Sequence, residues 1–565
     1  MEAVVRRSSL GALAGALASA ALTPILGFSL FGIILGMAVG AAYSASLRPT
    51  RHAYVDNLMA GAALGIPLWG IISVVAIPLF SGEKPQWSAE QIREHFPALV
   101  GWVLYGGLLG LITQGLSDAA EKILGPEAEK RPTPQETRRI VILGGGFAGM
   151  RTAECLGKEL SASSAVSITV VSNTNALLFT PMLAEVAGSS LEPSHISTPL
   201  RSSLRRAEFI RGLATSIDFE TRRVNLDENP EIEIGAVSRA IPFDHLVFAL
   251  GSVSNYLGMS NVEKLAFDFK SLLDAIQIRN HVIEKFEQAD RERDPSRRRA
   301  LLTFVIAGGG FAGVELAGSL NDFAHGILAD YPNLSPDDLS VVLVHSRERI
   351  LPELSESLGR YAQERMEARG VSFRLKTRVA DVRPGVVVLS DSEIPSDTLV
   401  WTAGTAANPL LKSLPMEKDK RGCLVVNKTL GLPGHPELWA LGDCAAVVDA
   451  KTGKPSPPTA QFAIRQAEVL AKNIRAQLQG RRKQNFHFDS LGALCVVGHQ
   501  TACAELTVPF LRSRSIRFSG LFAWVMWRTI YLSKLPGWER KIRVLVDWTI
   551  ELFFPRDIVQ TIELD

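Results

Sequence analysis

The segment Arg139–Leu160 reads RIVILGGGFAGMRTAECLGKEL, and it decides the fold of the region around it. An apolar run is followed by three glycines at the spacing Gly144-x-Gly146-x-x-Gly149 and then by a stretch of helical character. In a strand–turn–helix unit the first glycine turns the chain, the second admits a pyrophosphate and the third packs helix against strand. The pattern therefore predicts a dinucleotide-binding turn.

The same pattern recurs in Phe304–Leu320, FVIAGGGFAGVELAGSL, with Gly308, Gly310 and Gly313 at the equivalent positions. One match of this kind is weak evidence, because glycine-rich turns are common. Two matches in strand and helix context favour two bound dinucleotides over two ordinary loops. The sequence therefore predicts an α/β fold with two Rossmann-like domains of the three-layer ββα type.

The acidic residue that usually ends the second strand of such a unit is missing from both units. The predicted strand Ser167–Val171 is followed by Ser172 and Asn173, whose neutral side chains can still hydrogen-bond a ribose. The predicted strand Ser340–Val344 is followed by Arg347, which would attract a 2′-phosphate. NADPH therefore stays open beside NADH, and so does the alternative that Arg347 is only solvated.

Two later strand-and-turn segments complete the series. Asp397–Thr405 reads DTLVWTAGT and contains Gly404, and Glu437–Ala445 reads ELWALGDCA and contains Gly442 and Asp443. An acid directly after a strand can bind the hydroxyl groups of a flavin's ribityl chain, whereas an isolated Gly-Asp is more often an ordinary turn. The place of Asp443 in this series favours the binding role.

The N-terminal region contains three uncharged runs, Ser8–Leu47, Asn57–Gly82 and Phe96–Ser117. The first run is too long for one membrane span, so the sequence predicts four spans. Their approximate bounds are 8–26, 28–47, 57–80 and 97–117. Flanking arginines and a net negative loop before the last span place both ends of the region in the cytoplasm. A cleaved signal peptide is the less favoured interpretation of the first span.

Two aromatic-rich segments with interspersed cations, Phe518–Leu535 and Trp538–Phe554, lie near the C-terminus. Their tryptophans suit the headgroup zone of a bilayer, and their cations, Arg528 among them, suit anionic lipid. Both segments carry too many charges to span a membrane comfortably, so the sequence predicts amphipathic helices on the lipid surface. The alternative is a pair of amphipathic helices packed against the protein itself.

Composition limits the remaining function classes. The 565-residue chain has a net charge of +2, which gives no reason to expect nucleic acid as a partner. Its five scattered cysteines form no C-x-x-C pair, which suits a reducing compartment and argues against a redox-active dithiol. The histidines are scattered as well, so no structural metal is expected.

From Arg138 to Gln560 the chain resembles the type II NADH:quinone oxidoreductases. The resemblance depends on motifs that occur in order. They are VILGGGFAG, ALLFTPMLAEVAGSSLEPSHI, ALGS, IAGGGFAGVELAG, WTAGT, ALGDCA, PPTAQFAIRQAEVLAKNI and the final run KLPGWERKIRVLVDWTIELFFPRDIVQ. The resemblance implies FAD and NADH as cofactors, a membrane quinone as acceptor, and hydride transfer from nicotinamide to flavin N5. The first 130 residues lie outside the family's usual plan.

The resemblance also implies roles for single residues. Glu315 would lie near the nicotinamide–flavin contact and Gln461 at the quinone pocket, so these two are the candidate catalytic residues. The alternative for Glu315 is that its carboxylate only stabilises the positive N-terminal end of the helix and has no catalytic role. The family often has a Gln-Gln pair where this chain has Arg465-Gln466, which leaves the quinone type open. The candidate cofactor contacts are Gly144, Gly146, Phe147, Ala148, Gly149, Ser172, Asn173, Gly251, Gly308, Gly310, Phe311, Ala312, Gly313, Arg347, Gly404, Gly442, Asp443 and Ala460.

The expected domain order follows from these assignments. It is a transmembrane domain at 1–117, a linker at 118–137, a FAD-binding domain at 138–298, an NAD(P)H-binding domain at 299–394, a second FAD-binding part at 395–480 and a membrane-docking domain at 481–565. The expected function is that of a non-pumping NAD(P)H:quinone oxidoreductase of the cell membrane that faces the cytoplasm, with a homodimer left open. The alternatives are a sulfide:quinone oxidoreductase, which needs paired cysteines near the flavin, a reductase of another acceptor, and a flavin-bearing membrane sensor.

Overall fold

The structure is a computed structural model, and it divides into two compact units. The residues that it describes are 2–26, 30–46, 54–80, 82, 96–124, 138–160, 166–227, 238–508 and 514–560. The first unit is Met1–Arg131 with Gly537–Ile542, and the second is Pro132–Pro536 with Arg543–Asp565.

Helices make up the described part of the first unit before residue 131. They are α1 (Glu2–Leu26), α2 (Leu30–Ser46), α3 (Tyr54–Leu68), a π-helical stretch (Trp69–Ala76), α4 (Ile77–Phe80) and α5 (Phe96–Leu124). Helix α1 packs on α2 and helix α3 on α5. A Cβ atom on Gly15 would lie 2.0 Å from the carbonyl oxygen of Gly36, and one on Gly61 would lie 1.9 Å from that of Gly106. Backbone therefore packs directly on backbone in both pairs, as in many membrane helix pairs.

Only two of the four predicted spans are supported. In the described part of the chain, Tyr54–Leu79 and Ala98–Ala120 are long and apolar enough to cross a membrane by length and composition. The apolar part of α2, Gly32–Ala45, extends about 21 Å at 1.5 Å per residue, less than the roughly 30 Å of a hydrocarbon core. The loop charges used to predict the orientation, and most of the predicted linker, lie outside the described residues.

Helix α5 continues beyond the predicted end of the last span at residue 117, so Asp118 lies within a helix. Its carboxylate accepts hydrogen bonds from the Gln114 amide (2.7 Å) and the Tyr54 hydroxyl (2.9 Å), and Asn57 donates to Gln114 at 2.5 Å. These bonds satisfy polar groups between α3 and α5, where an unpaired polar atom would be costly.

The second unit alternates helices and strands. Its helices are α6 (Phe147–Glu159), α7 (Leu183–Ala187), α8 (Leu200–Ser203), α9 (Ser260–Leu265), α10 (Leu272–Arg291), α11 (Pro295–Leu301), α12 (Phe311–Ile327), α13 (Glu356–Glu367), α14 (Ala460–Leu478), α15 (Gly520–Lys534) and α16 (Trp538–Ile550), the last of which begins in the first unit.

The strands are β1 (Arg138–Leu143), β2 (Val166–Ser172), β3 (Ala176–Leu178), β4 (Ser197–Pro199), β5 (Glu208–Arg211), β6 (Leu213–Asp218), β7 (Arg223–Asp227), β8 (Ser238–Pro242), β9 (His245–Phe248), β10 (Ser252–Ser254), β11 (Phe267–Asp268), β12 (Thr303–Ala307), β13 (Ser340–His345), β14 (Val371–Leu375), β15 (Val379–Arg383), β16 (Val386–Leu389), β17 (Glu393–Pro395), β18 (Thr398–Trp401), β19 (Thr405–Ala407), β20 (Leu424–Val425), β21 (Gly431–Leu432), β22 (His435–Ala440), β23 (Ala445–Ala446), β24 (Gly492–Gly498), β25 (Thr501–Val508) and β26 (Arg514–Ser519).

Two largely parallel sheets confirm the predicted α/β fold. The first has the order β21-β22-β9-β1-β2-β5, and the second has the order β11-β18-β12-β13-β14. Strands β1 and β12, which lead into the two glycine turns, are central and almost wholly buried apart from the start of β1. Small antiparallel sheets, β6-β7-β8 and β15-β16-β17, form the additional layer of each domain.

A further three-stranded antiparallel sheet, β24-β25-β26, precedes the C-terminal helices, and the sequence analysis did not predict it. A Cβ atom on Gly318 of α12 would lie 2.8 Å from the backbone of Val497, so β24 packs directly on α12. The predicted helix Phe518–Leu535 begins only at Gly520, because Phe518 is still part of β26.

Candidate functional site

The first glycine turn has the geometry of a phosphate cradle. Gly144 has φ +112°, and a Cβ atom on it would lie 2.1 Å from the carbonyl oxygen of Ala249. A Cβ atom on Gly149 would lie 1.9 Å from the carbonyl oxygen of Gly144, so helix and turn are in direct contact. Gly146 is the N-cap of α6, no side chain caps the helix, and no atom lies within 4 Å of its Cβ position. Free helix N–H groups and open space are what a pyrophosphate requires.

The second glycine turn repeats this geometry. Gly308 has φ +123°, and a Cβ atom on it would lie 2.4 Å from the hydroxyl oxygen of Thr402. A Cβ atom on Gly313 would lie 1.9 Å from the carbonyl oxygen of Gly308. The nearest atom to the Cβ position of Gly310 is a carboxylate oxygen of Glu353, 3.7 Å away. Both turns therefore fit a dinucleotide.

The residues at the ends of β2 and β13, the second strand of each dinucleotide-binding motif, lie beside the two glycine turns. Ser172 is buried, and its hydroxyl would be 2.9 Å from a Cβ atom on Gly145 of the first turn. At the second glycine turn the Gly309 N–H donates to Nδ1 of His345 at 3.1 Å. Burial together with the charge of Arg347 lowers the pKa of His345. A neutral imidazole can accept this bond. Arg347 itself is exposed, and so is Asn173 after Ser172.

Asp443 belongs to a chain of polar contacts that the sequence analysis found only in part. Its carboxylate accepts a hydrogen bond from the Ser252 hydroxyl at 3.1 Å, next to Gly251 with φ +66°. The Lys270 ammonium donates to the same hydroxyl oxygen at 2.9 Å. Burial lowers the pKa of Lys270, while Asp443 and two further carboxylates favour its charged form. Lys270 was missed because no local motif marks it.

The turn at Gly442 joins the two parts of the first domain. A Cβ atom on Gly442 would lie 3.2 Å from that of Ala148 and 3.8 Å from that of Ala463, so the turn contacts both α6 and α14. The Gly442 N–H donates to the side-chain oxygen of buried Gln466 at 2.8 Å. Ala460 is the first residue of α14. Gln466, the second residue of the Arg465-Gln466 pair that stands where the family often has Gln-Gln, therefore supports the turn that carries Asp443.

Gln461 and Glu315 are both bound to strand β24. The Ser490 hydroxyl and the Leu491 N–H donate to the side-chain oxygen of Gln461 at 3.2 Å each, and its amide donates to the Gly492 carbonyl at 3.4 Å. Glu315 accepts a hydrogen bond from the Val496 N–H at 3.3 Å. Four residues of strand separate the two contacts, roughly 13 Å along the chain. Strand β24 therefore fixes the separation of the two candidate catalytic residues.

Aromatic rings connect the first glycine turn to the C-terminal helices. The ring of Phe147 lies 5.8 Å from that of Phe179, which lies 6.1 Å from the ring of Tyr531. The Tyr531 ring lies 4.8 Å from that of Trp527.

The remaining candidate residues lie at the start of α12 and beside β19. Phe311 and Ala312 begin α12, where Phe311 is partly buried and Ala312 is exposed. Gly404 accepts a hydrogen bond from the Asn255 N–H at 3.2 Å, next to the paired strands β10 and β19.

The comparison with known proteins identifies the family. Residues 138–467 match the family of pyridine nucleotide-disulphide oxidoreductases, and residues 490–557 match the NDH2 C-terminal domain. The type II NADH:quinone oxidoreductase Ndh of Mycobacterium tuberculosis is 30% identical over 449 residues, which is 77% of this chain and 92% of the relative. The chain belongs to the type II NADH:quinone oxidoreductase family.

Further relatives agree with this family assignment. A probable NADH dehydrogenase of Dictyostelium discoideum is 31% identical over 466 residues, which is 80% of this chain and 99% of the relative. The solved structure of NDH2 from Plasmodium falciparum in complex with NADH has the same fold, with a TM-score of 0.68 at 19% identity over 75% of this chain and 100% of that chain. The sheet β24-β25-β26 lies within the region that matches the family's C-terminal domain.

The C-terminal helices of this family member direct three of their tryptophans and one predicted lipid-facing cation inward, whereas Trp538 is exposed. Trp524, Trp527 and Trp548 are buried. The Arg528 guanidinium lies 3.9 Å from the ring centre of Trp524 and 4.6 Å from that of Trp548, and it bonds to Glu551 at 2.6 Å. The prediction that these residues face lipid was wrong, because buried carboxylates attract Arg528. Exposed apolar residues on the same segments are Leu521, Phe522, Val525, Trp538, Leu545, Val546, Ile550, Leu552, Phe553 and Phe554.

Two buried carboxyls near the C-terminal helices have raised pKa values. Burial raises the pKa of Glu315 to about 8, and the nearby Glu185 adds repulsion. Burial raises the pKa of Glu185 to about 7, against the attraction of Arg528. Both carboxyls therefore exchange protons near neutral pH, which is a property common at functional sites.

We expect the variant Glu315→Gln to be more stable than the wild type at high pH. The unfolded carboxyl ionises above about pH 4.5, whereas the folded one holds its proton up to about pH 8, so stability falls as pH rises between these values. The gain at pH 8.5 should be about 4–5 kcal/mol, because each unit of pKa shift corresponds to about 1.4 kcal/mol, and at pH 4.5 it should nearly vanish. Thermal unfolding in detergent from pH 4.5 to 9 checks this. A constant difference across that range would contradict the raised pKa.

Proposed function

We propose that the protein is a membrane-associated, FAD-dependent NAD(P)H:quinone oxidoreductase that transfers two electrons to a membrane quinone without pumping protons. The main support is that two open phosphate cradles and the pair Glu315 and Gln461 belong to one unit, with both side chains bound to strand β24. FAD, when bound, supplies the two-electron acceptor and donor chemistry that amino acids lack.

Each part of the site has a task in this proposal. The turn of Gly144, Gly146 and Gly149 holds the pyrophosphate of FAD, and Asp443, kept in place by Ser252, holds the ribityl hydroxyls. The turn around Gly310 holds the nicotinamide dinucleotide. Glu315 holds or releases a proton close to the aromatic residues of α15, and Gln461 orients the quinone. Water exclusion by those aromatic residues strengthens such interactions.

The apolar acceptor explains the membrane association that we propose. A membrane quinone stays in the bilayer, so the site that reduces it must lie at the lipid surface. The exposed residues Phe522, Phe553 and Phe554 supply an apolar surface on the second unit, and Tyr54–Leu79 and Ala98–Ala120 supply two candidate spans. We place the catalytic unit on the cytoplasmic side, where NADH is available. The proposal has no pumping step because, among the described residues, the two carboxyls whose pKa burial raises to about 7 and about 8 belong to the second unit.

A sulfide:quinone oxidoreductase is less well supported. The fold alone does not separate the two activities, since the sulfide:quinone oxidoreductase of Aquifex aeolicus has a TM-score of 0.55 at 18% identity over 74% of this chain and 96% of that chain. Cys495 and Cys503 face each other across β24 and β25, but both are fully buried and burial raises both thiol pKa values. Buried protonated thiols are poor nucleophiles for sulfide chemistry.

Turnover with short-chain quinones tests the proposal. We expect the flavin-loaded protein in detergent to reduce a soluble quinone at 1 to 10³ turnovers per second, as is typical for enzymes. Assays with NADH and NADPH in parallel, on the wild type and Arg347→Glu, determine whether Arg347 holds a 2′-phosphate. If it does, the ratio of NADPH to NADH turnover falls at least about tenfold, as for a lost charge-assisted bond. Negligible turnover of flavin-loaded protein with every quinone would favour a sensor.

A further inference from the structure

Two cavities of the second unit share a wall of charged side chains. The outer cavity, of about 470 Å³, is open at the surface and includes Asn321, His325 and Arg369 in its lining. The inner cavity, of about 30 Å³, has room for about two water molecules and is lined by Glu185 and Glu315. Residues that line both cavities are Asp322, His499, Glu551 and Arg556. Polar side chains therefore separate the surface cavity from the inner cavity that Glu315 lines.

Ion pairs fix side chains in the walls of these cavities. Glu551 bonds to Arg528 at 2.6 Å and to Arg556 at 2.9 Å. Glu185 lies 3.8 Å from Arg528 and accepts a hydrogen bond from the Trp548 indole at 3.2 Å.

Asp322 is fixed in the shared wall in the same manner. Its carboxylate forms an ion pair with Arg369 and accepts a hydrogen bond from the backbone N–H of His499 at 2.5 Å. The carboxylates in these walls are therefore held in fixed positions, which a defined proton path requires.

Buried polar atoms in the walls of the two cavities lack protein partners. Asn321 is 3% exposed, and its side-chain oxygen has no hydrogen-bond partner among the described residues. The same holds for Nε of Arg528, which lines the inner cavity. Buried polar atoms of this kind are normally paired with water when protein partners are lacking. The outer cavity is open to solvent and the inner cavity has room for water, so both can hold a hydrated path.

The proposed reaction consumes one proton from water in each turnover. NADH, one proton and a quinone give NAD⁺ and a quinol, so two electrons and one hydrogen come from NADH and the second hydrogen comes from solvent. This proton has to cross the apolar surroundings of a membrane-docked site. A hydrated chain of ionisable groups lowers that barrier, because it avoids an isolated charge in a medium of low dielectric constant.

We propose that this proton enters through the outer cavity, passes Asp322, and reaches Glu315 through the water of the inner cavity and Glu185. The inference rests on the proposed function and adds the relay residues Asp322 and Glu185 to it. The pKa values of Glu185, about 7, and Glu315, about 8, allow each to take up and release a proton near neutral pH.

Neighbouring charges set the affinity of each relay carboxyl for its proton. Burial also raises the pKa of Asp322, while Arg369 lowers it. The titratable and charged groups that face the three carboxyls are Tyr531 and Cys495 at Glu315, then Arg528, Glu551 and Arg556 at Glu185, and Arg369, Arg556 and His499 at Asp322.

Single-turnover proton uptake tests the route. The reduced, FAD-loaded protein is mixed with a short-chain quinone and a pH indicator dye, and proton uptake and quinol formation are followed together. The isosteric variants Glu185→Gln and Asp322→Asn should slow proton uptake at least tenfold and increase its solvent deuterium isotope effect. Asp338→Asn is the matched control, because Asp338 is equally buried and paired with Arg298 at 3.2 Å but lines neither cavity. It should take up protons at the wild-type rate.

A second readout needs no turnover. After a pH jump without substrates, the infrared band of the protonated Glu315 carboxyl should reappear at least tenfold more slowly in Asp322→Asn than in wild type. Wild-type rates of proton uptake and band recovery in both variants would overturn the route. Bleaching of the flavin by NADH, recorded before quinone is added, separates the two proposals. Normal bleaching with unaltered proton uptake contradicts only the route, whereas no bleaching in the wild type contradicts the proposed function.

Discussion

The variant Gly146→Asp should fold and yet be colourless. Gly146 has φ −73°, and no atom lies within 4 Å of its Cβ position, so an aspartate side chain fits without strain. Its carboxylate would occupy the space in which the proposed pyrophosphate meets the N-terminus of α6. Two like charges 4 Å apart repel by about 4 kcal/mol at an effective dielectric constant of 20, which is roughly a thousandfold in FAD affinity.

The variant Gly310→Asp at the second turn is the matched partner. Its φ is −79°, and its surroundings are nearly as open, so it should fold, stay yellow and resist bleaching by NADH. Gly326→Asp is the control, because Gly326 is an exposed glycine with the same open space at its Cβ position. It should be yellow and bleach normally. Absorbance at 450 nm and FAD released on denaturation measure the outcome. A fully yellow Gly146→Asp protein would refute the assignment of the first turn.

The second large effect is expected from Glu315→Gln. A positioned general acid typically contributes 10²- to 10⁴-fold, so quinone-linked turnover should fall about a hundredfold. Below about pH 8 the wild-type carboxyl is protonated and can donate, and above that pH it is ionised, so wild-type turnover should decline through pH 8. The variant should lack this decline, because glutamine does not titrate.

Stopped-flow measurements from pH 6 to pH 10 check this result. The rate of flavin bleaching by NADH should change much less than the rate of reoxidation by quinone, because the proton is needed in the second step. Asp338→Asn again serves as the control for a buried carboxylate elsewhere. A variant that keeps wild-type turnover and the decline near pH 8 would show that Glu315 is only the helix-face carboxylate of the alternative interpretation.

The sequence predicted the parts of the site that depend on local backbone geometry. A positive φ at Gly144 or a close contact at Gly149 leaves a visible glycine in the sequence, and apolar runs mark the central strands. Even there the start of β12 at Thr303 is set by the short helix α11, which Asp294 caps and which the sequence analysis did not predict.

The parts that long-range packing creates could not be predicted. Lys270 meets Ser252 and Asp443 only when three segments far apart in the sequence converge, and nothing in its local sequence indicates this. Arg528 seemed to be a lipid-facing cation because helical periodicity does not reveal Glu551, 23 residues later. The sheet around β24 left one signal that was overlooked, since two apolar runs flank a tight turn in which Gln500 has φ +54°.

The membrane region illustrates a different limit. Hydropathy finds apolar runs but does not tell a membrane span from a helix rich in small residues that packs closely on its neighbour. The first two predicted spans contain Gly11, Gly15, Gly36 and Gly40, and the backbones of α1 and α2 approach closely at these positions. Such residues favour helix pairing and add little apolar surface for lipid.

Anaerobic titration of the purified protein's absorption spectrum tests the central claim most directly. The account predicts a flavin spectrum with a peak near 450 nm, bleached by about one equivalent of NADH and restored by about one equivalent of a short-chain quinone, because FAD cycles by two electrons. Folded protein that carries no flavin when supplied with FAD, or a flavin spectrum that NADH leaves unchanged, would contradict it.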